Sequence, residues 1–201
     1  RNHIRLADCV PDIRLLKGAW KAIGSHHIIN LTMQAPGFAL PIIVTVLISA
    51  EVNAIFYVVW LLVNFLYLLP NALTMVLYAL GSHEEQSFID KTRLSLMISL
   101  GIATVGIVAI GLLAEPMLTL FNTDYVMLGS SSLLIMALGA LPLVFKMHYV
   151  TIARFNNETQ TAATISTFTA LSELVFASIG ALWYGLDGLC LGYVLGMSAS
   201  M

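Results

Sequence analysis

An all-α, polytopic membrane fold, a six-helix transmembrane bundle, is what this sequence predicts, and three observations carry it. Hydrophobic residues make up 59% of the chain and charged residues 10%, whereas soluble domains run near ~45–50% and ~25%. A water-soluble core of this size has no room for that much apolar surface, so lipid must be the solvent. The apolar residues also fall into lipid-length runs separated by short polar knots, as in Leu133 to Gly180, where two runs flank Arg154-Phe155-Asn156-Asn157-Glu158. Finally, the basic residues are confined to alternate knots, as set out below.

Residues 1–27 form a polar to amphipathic leader or linker. Ile13, Leu16, Trp20 and Ile23 share one helical face and Arg14, Lys17 and Lys21 an adjacent one. Such a helix can lie in the headgroup layer with its lysines toward anionic lipid, or pack as an ordinary linker on the next segment. Residues 28–201 are expected to be the transmembrane lobe. Its first span, 28–49, approaches the ~20 residues that a ~30 Å hydrocarbon core requires. Gln34, Pro36 and Pro41 interrupt it. Each proline removes a backbone donor and crowds the preceding turn, so the helix is expected to bend there, with or without a cavity beside it.

The second span, 54–80, contains Asn64, Pro70 and Asn71; Pro70 joins Pro36 and Pro41 as a hinge candidate. A polar turn with Lys91 and Arg93 leads into the third span, 94–113, which has no charge. An acidic turn with Glu115 and Asp124 precedes the fourth, 126–149. The fifth, 162–182, holds Glu173, and a turn through Trp183 to Asp187 opens the sixth, 189–201, where the sequence stops within the apolar run. Gly188, Gly192 and Gly196 recur every four residues there, a pattern that lets another helix come close. Since the sequence starts without methionine and ends inside a span, a piece of a longer protein is expected.

Six spans put all nine lysines and arginines on one side: Arg1, Arg5, Arg14, Lys17 and Lys21 in the leader, Lys91 and Arg93 in one turn, Lys146 and Arg154 at another. The opposite turns carry Glu51, Glu115, Asp124 and Asp187 and no basic residue. Positive charge is retained on the cytoplasmic face, so the leader and basic turns are expected in the cytoplasm and the chain in the inner (cytoplasmic) membrane.

Glu173 is the sharpest single residue, because it sits ~16 Å into its span, near the middle of a ~30 Å core. A carboxylate at that depth costs roughly 2.5–3.5 kcal/mol on insertion scales, so it should face protein or water and have a partner. With Ser166, Thr169 and Gly180 it forms a polar stripe. It can bind a coupling cation, a proton or a cargo hydroxyl, or fasten two helices. Lys146, inside the fourth span, can snorkel to the interface or project into a cavity and hold a phosphate. Gln34, Asn64 and Asn71 can bond neighbouring helices or line a cavity that receives a polar cargo. Arg154 reads as a topology determinant and His148 as a packing residue. No catalytic constellation, metal cluster or phosphate-cradling loop is found; neither enzyme chemistry nor nucleic-acid binding is expected, and no cofactor.

The run from Leu112 to Ser166, with Leu118-Thr119-Leu120-Phe121, Tyr125 and Leu141-Pro142, and the segment Gly185 to Gly196 resemble the polysaccharide (O-antigen type) flippases. These belong to the superfamily that also holds the multidrug and toxic compound extrusion transporters. The resemblance implies one lobe of a two-lobe, alternating-access transporter whose second lobe lies elsewhere in the same protein. It implies a lipid-linked glycan or amphipathic small molecule as cargo, membrane lipid as surroundings, and a proton or sodium gradient as drive. It makes Lys146 the candidate phosphate contact. A cation-coupled multidrug exporter is the alternative, and a non-transporting assembly subunit a further one.

Overall fold

A computed structural model describes residues 13–81 and 88–199. Six helical elements follow one another: α1 (Ile13–Leu47), α2 (Ala50–Gly81), α3 (Phe88–Thr119), α4 (Tyr125–Leu138), α5 (Ala140–Phe155) and α6 (Thr159–Ser198). They form an all-α bundle of a multi-pass membrane protein. Five helical stretches are long and apolar enough to cross a membrane, α4 and α5 counting together as one. The stripe Ile98, Val105 and Leu112 on α3 recurs every seven residues and points outward, as a lipid-facing helix requires.

The last of these stretches, Thr159–Ser198, is not one continuous helix. Its helical path breaks at Tyr184 (φ −134°, ψ 21°) and Gly185 (φ 60°, ψ −135°). The chain folds back there, and residues 159–183 and 186–198 run as two antiparallel arms. The expected fifth and sixth spans are therefore the two arms of one hairpin. Gly185 carries a left-handed φ at which a side chain would be strained.

Three further boundaries shift. From Ile13 onward the leader and the first span are one helix, since α1 runs without a break past residue 27 and through Pro36 and Pro41; residues 1–12 lie outside the described residues. Lys91 and Arg93 lie in the opening turns of α3, which begins at Phe88; the rest of the expected turn, 82–87, lies outside the described residues. At its far end α3 continues through Glu115 and Pro116 to Thr119, so the acidic turn shrinks to residues 120–124.

The turns follow local hydrogen-bonding logic. Ser49 caps α2 by accepting the Val52 N–H at 3.1 Å. The knot after α5 closes with the Glu158 N–H on the Ala153 carbonyl (2.8 Å) and the Asn157 N–H on the Arg154 carbonyl (3.3 Å). Asn157 takes the left-handed conformation this motif needs, φ 60°. Phe155 stacks on Phe88 with ring centroids 3.7 Å apart, which holds the ends of α5 and α3 together.

The fourth span is jointed where Gly139 separates α4 from α5, three residues before Pro142. The Tyr67 hydroxyl of α2 donates to the Met136 carbonyl there at 2.6 Å. A methyl on Gly139 would meet that hydroxyl at 2.7 Å and Val194 at 3.1 Å, so the glycine makes room for two neighbouring helices. Met136 O also receives the Gly139 N–H at 3.1 Å. Tyr67→Phe is therefore expected to cost only one hydrogen bond, about 0.5–1.5 kcal/mol. Thermal unfolding of the full-length protein in detergent checks this, and an unchanged midpoint would remove the hydroxyl from the joint.

At the end of the bundle opposite Phe88 and Phe155, Asp187 opens the second arm of α6 and accepts from two serines of α4. Ser131 Oγ lies 2.9 and 2.7 Å from its two carboxylate oxygens, and Ser132 Oγ bonds the first of them. One acidic residue thus ties the hairpin apex to α4.

Candidate functional site

The polar residues inside the bundle fall into two groups, separated by α5. Its residues Met147, Val150, Thr151 and Arg154 face α1 and α2, while Phe145, Lys146, Tyr149 and Ile152 face α3 and α6. That division follows from helical spacing, because positions three, four and seven apart share a face.

On the α6 side, Lys146 does not snorkel. Its ammonium lies 2.6 Å from Glu173 Oε1, with the two side chains 10% and 0% exposed. The low exposure comes from the hairpin, whose second arm packs directly over the backbone of Glu173 at Gly196. Glu173 Oε2 is also buried and has no hydrogen-bond partner. Ser166 and Thr169, two turns and one turn earlier, share a cavity of about 620 Å³ with Lys146 and His148. His148 is held at both ring nitrogens, Nδ1 2.8 Å from the Val144 carbonyl and Nε2 3.0 Å from Ser95 Oγ. Because a carbonyl only accepts, Nδ1 carries the proton and Nε2 receives the Ser95 hydroxyl. His148 is a packing residue in this arrangement.

On the α1–α2 side, two cavities of about 420 and 470 Å³ share Met33, Gln34, Asn71 and Met147 and so form one groove. Gln34, Asn64 and Asn71 all line it and are exposed. Asn64 donates one amide N–H to the Trp60 carbonyl (2.6 Å), which leaves its second N–H and its oxygen for a ligand. Pro36, Trp60, Tyr67 and Tyr193 form the apolar and aromatic part of the wall. Trp60 stacks on Phe56 and meets Tyr193 edge-on, so its ring is fixed before anything binds. Pro41 and Pro70 are buried in α1 and α2 beside the groove rather than in its lining.

Arg154 stands at one end of this groove. One guanidinium nitrogen donates to Asn30 Oδ1 at 2.7 Å, and Nε is buried with no hydrogen-bond partner. Sequence reasoning assigned it to topology alone. Its seven-residue separation from Met147 was the available signal, but nothing in the sequence said that the Met147 face looked onto a groove. Trp60, Tyr67 and Tyr193 were missed for the same reason. Glu173 lines none of these three cavities and so stands apart from Gln34, Asn64 and Asn71. Among the described residues there is no cluster of three or more His, Cys, Asp or Glu able to hold a metal.

No protein-family model matches the chain, and no curated protein matches it. Solved structures do. The chain is similar to an inward-facing multidrug resistance MATE family transporter of the MOP superfamily, with TM-score 0.74, 19% identity and 98% of this chain on 48% of that one. A MATE in the bent conformation gives TM-score 0.80 at 21% identity over 98% of this chain and 46% of that chain. A MATE point mutant gives TM-score 0.78 with the same identity and coverage. The chain thus has the fold of one MATE lobe and spans about half the length of the transporters it matches.

Proposed function

We propose that this chain is one lobe of a transporter that moves lipid-linked glycan precursors across the cytoplasmic membrane by alternating access. The observation that carries the reading is the chemistry of the α1–α2 groove. Four neutral amides (Asn30, Gln34, Asn64 and Asn71), fixed aromatic rings and a terminal arginine line it, and no carboxylate does. Amides hydrogen-bond hydroxyls without demanding a charge, and aromatic faces accept the apolar faces of sugar rings. A guanidinium matches phosphate oxygens in a bidentate geometry. In this reading Arg154, not Lys146, is the phosphate contact, because Lys146 is already neutralised by Glu173. Pro36, Pro41 and Pro70 weaken the backbone of the two groove helices and serve as hinges between inward and outward states. The basic ends lie in the cytoplasm, and the other lobe of the full-length protein closes the open side of the groove.

A second reading is favoured by the solved structures, one of which is named for multidrug resistance: a cation-coupled exporter of amphipathic drugs. The two readings differ in the charge they need in the groove. A cationic drug calls for an acidic partner, and Glu173, which lies outside the groove on the α6 side, is the carboxylate that reading invokes.

The test is translocation by the full-length protein in proteoliposomes, scoring a lipid-diphosphate oligosaccharide and a cationic dye side by side. Arg154→Gln removes a charge-assisted contact of about 1.5–3 kcal/mol, so glycan movement should fall about 10- to 100-fold while dye movement holds. Gln34→Ala with Asn71→Ala should weaken glycan movement as well. Glycan movement untouched in both variants, with dye export lost in Glu173→Gln, would establish the exporter instead.

A further inference from the structure

Glu173 is bonded on one side only. Oε1 holds the Lys146 ammonium, whereas Oε2 is equally buried and bonds nothing. A pair built solely as a fastener would satisfy both oxygens, because an unmet buried acceptor opposes the stability the pair is there to give. Among the described residues, Lys146 is the charged group that acts on Glu173, and its other titratable neighbours are the phenols Tyr67 of α2 and Tyr193 of the second arm. Cys190 lies beyond, against Tyr67.

The two partners differ in freedom. Glu173 is fixed to the hairpin, where Gly196 abuts its backbone and Ser172 Oγ donates to the Gly196 carbonyl at 2.9 Å. Lys146 hangs on a flexible four-carbon stem and lines the 620 Å³ cavity beside Ser166 and Thr169. Any cation reaching Glu173 from that cavity meets Lys146 first, and any motion that opens the pair is a motion of the lysine.

We infer that Glu173 is a proton site whose resident cation is the protein's own Lys146, and that protonation at Oε2 releases the lysine into the cavity between α3, α5 and α6. A proton that adds to Oε2 yields a neutral carboxylic acid. The one bond lost is the ion pair, and Lys146 leaves as an ammonium with all its protons. The pair changes from net zero to net plus one, so a positive charge appears in the cavity only in the protonated state. A proton requires a single acceptor such as Oε2, whereas sodium requires several oxygen ligands at once. The inference does not depend on the cargo.

Infrared difference spectroscopy of the purified full-length protein across a pH titration tests it. A carboxylic-acid band should grow on acidification in the wild type and be absent in Glu173→Gln. In Lys146→Met, where the competing cation is gone, the band should appear at least one pH unit higher. If that variant does not fold, Lys146→Arg serves, with the band expected at lower pH because a guanidinium holds the carboxylate more firmly. No such band before unfolding in the wild type, a band that survives Glu173→Gln, or one driven by sodium at constant pH would each overturn the inference. Glycan translocation that fails while the band behaves as expected would count against the cargo alone.

Discussion

Lys146→Ala is expected to destabilise the full-length protein by about 3–5 kcal/mol, the usual cost of leaving one member of a buried ion pair uncompensated. The size follows from the geometry. Glu173 is fully buried and Lys146 supplies its one hydrogen bond, at 2.6 Å. A snorkelling lysine, by contrast, would lose little on truncation, because its charge would already be solvated. The measurement is the thermal midpoint in detergent of Lys146→Ala, Glu173→Gln and the double variant Lys146→Met with Glu173→Gln. The double variant should recover most of the loss, since it removes both charges while keeping much of the buried volume. Recovery gives a large interaction energy in the cycle, as expected of residues in contact. Equal and additive losses would mean that the two side chains do not act as a pair.

The second large effect is expected in the α6 hairpin. A methyl on Gly180 would collide with the Gly188 carbonyl, one on Gly192 with the Phe176 carbonyl, and one on Gly196 would lie 2.7 Å from the Glu173 Cα. These neighbours are backbone and cannot rotate away, so the arms must separate. Overpacking typically costs about 1–3 kcal/mol and more when nothing can yield. Gly192→Ala is therefore expected at or above the top of that range, with loss of folded protein on size exclusion. Gly101→Ala is the control, because nothing lies within 4 Å of the added methyl. There the better helix propensity of alanine should leave stability unchanged or raise it by up to about 1 kcal/mol. Equal tolerance at Gly192 and Gly101 would sink the close-packed hairpin. The same collapse would disturb Glu173, whose backbone forms part of the contact.

Particular residues show where sequence reasoning succeeded and where it stopped. The four-residue spacing of Gly188, Gly192 and Gly196 announced a close helix approach, and the facing helix turned out to be the preceding arm of the same hairpin. The depth of Glu173 in its span demanded a partner, yet the distance along the chain to Lys146 carries no pairing information. Lys146 and Met147 are adjacent in sequence but open onto different cavities. Span boundaries moved where helices ran on past a polar residue, as α3 does through Glu115, because hydropathy marks the lipid-immersed length and not the end of hydrogen bonding.

What the sequence determined by itself was the solvent, the helical class and the repeated hairpin plan. Each of these depends on local composition: a backbone in lipid must bond internally, and runs of that length and apolarity do so as helices. Tertiary structure alone decided that Lys146 meets Glu173 and that Gln34, Asn64, Asn71 and Arg154 share a groove on the other face of α5. Those outcomes depend on which helix faces touch, and face pairing is settled by packing between segments distant in the chain, where small residues, joints and one buried carboxylate permit only certain approaches.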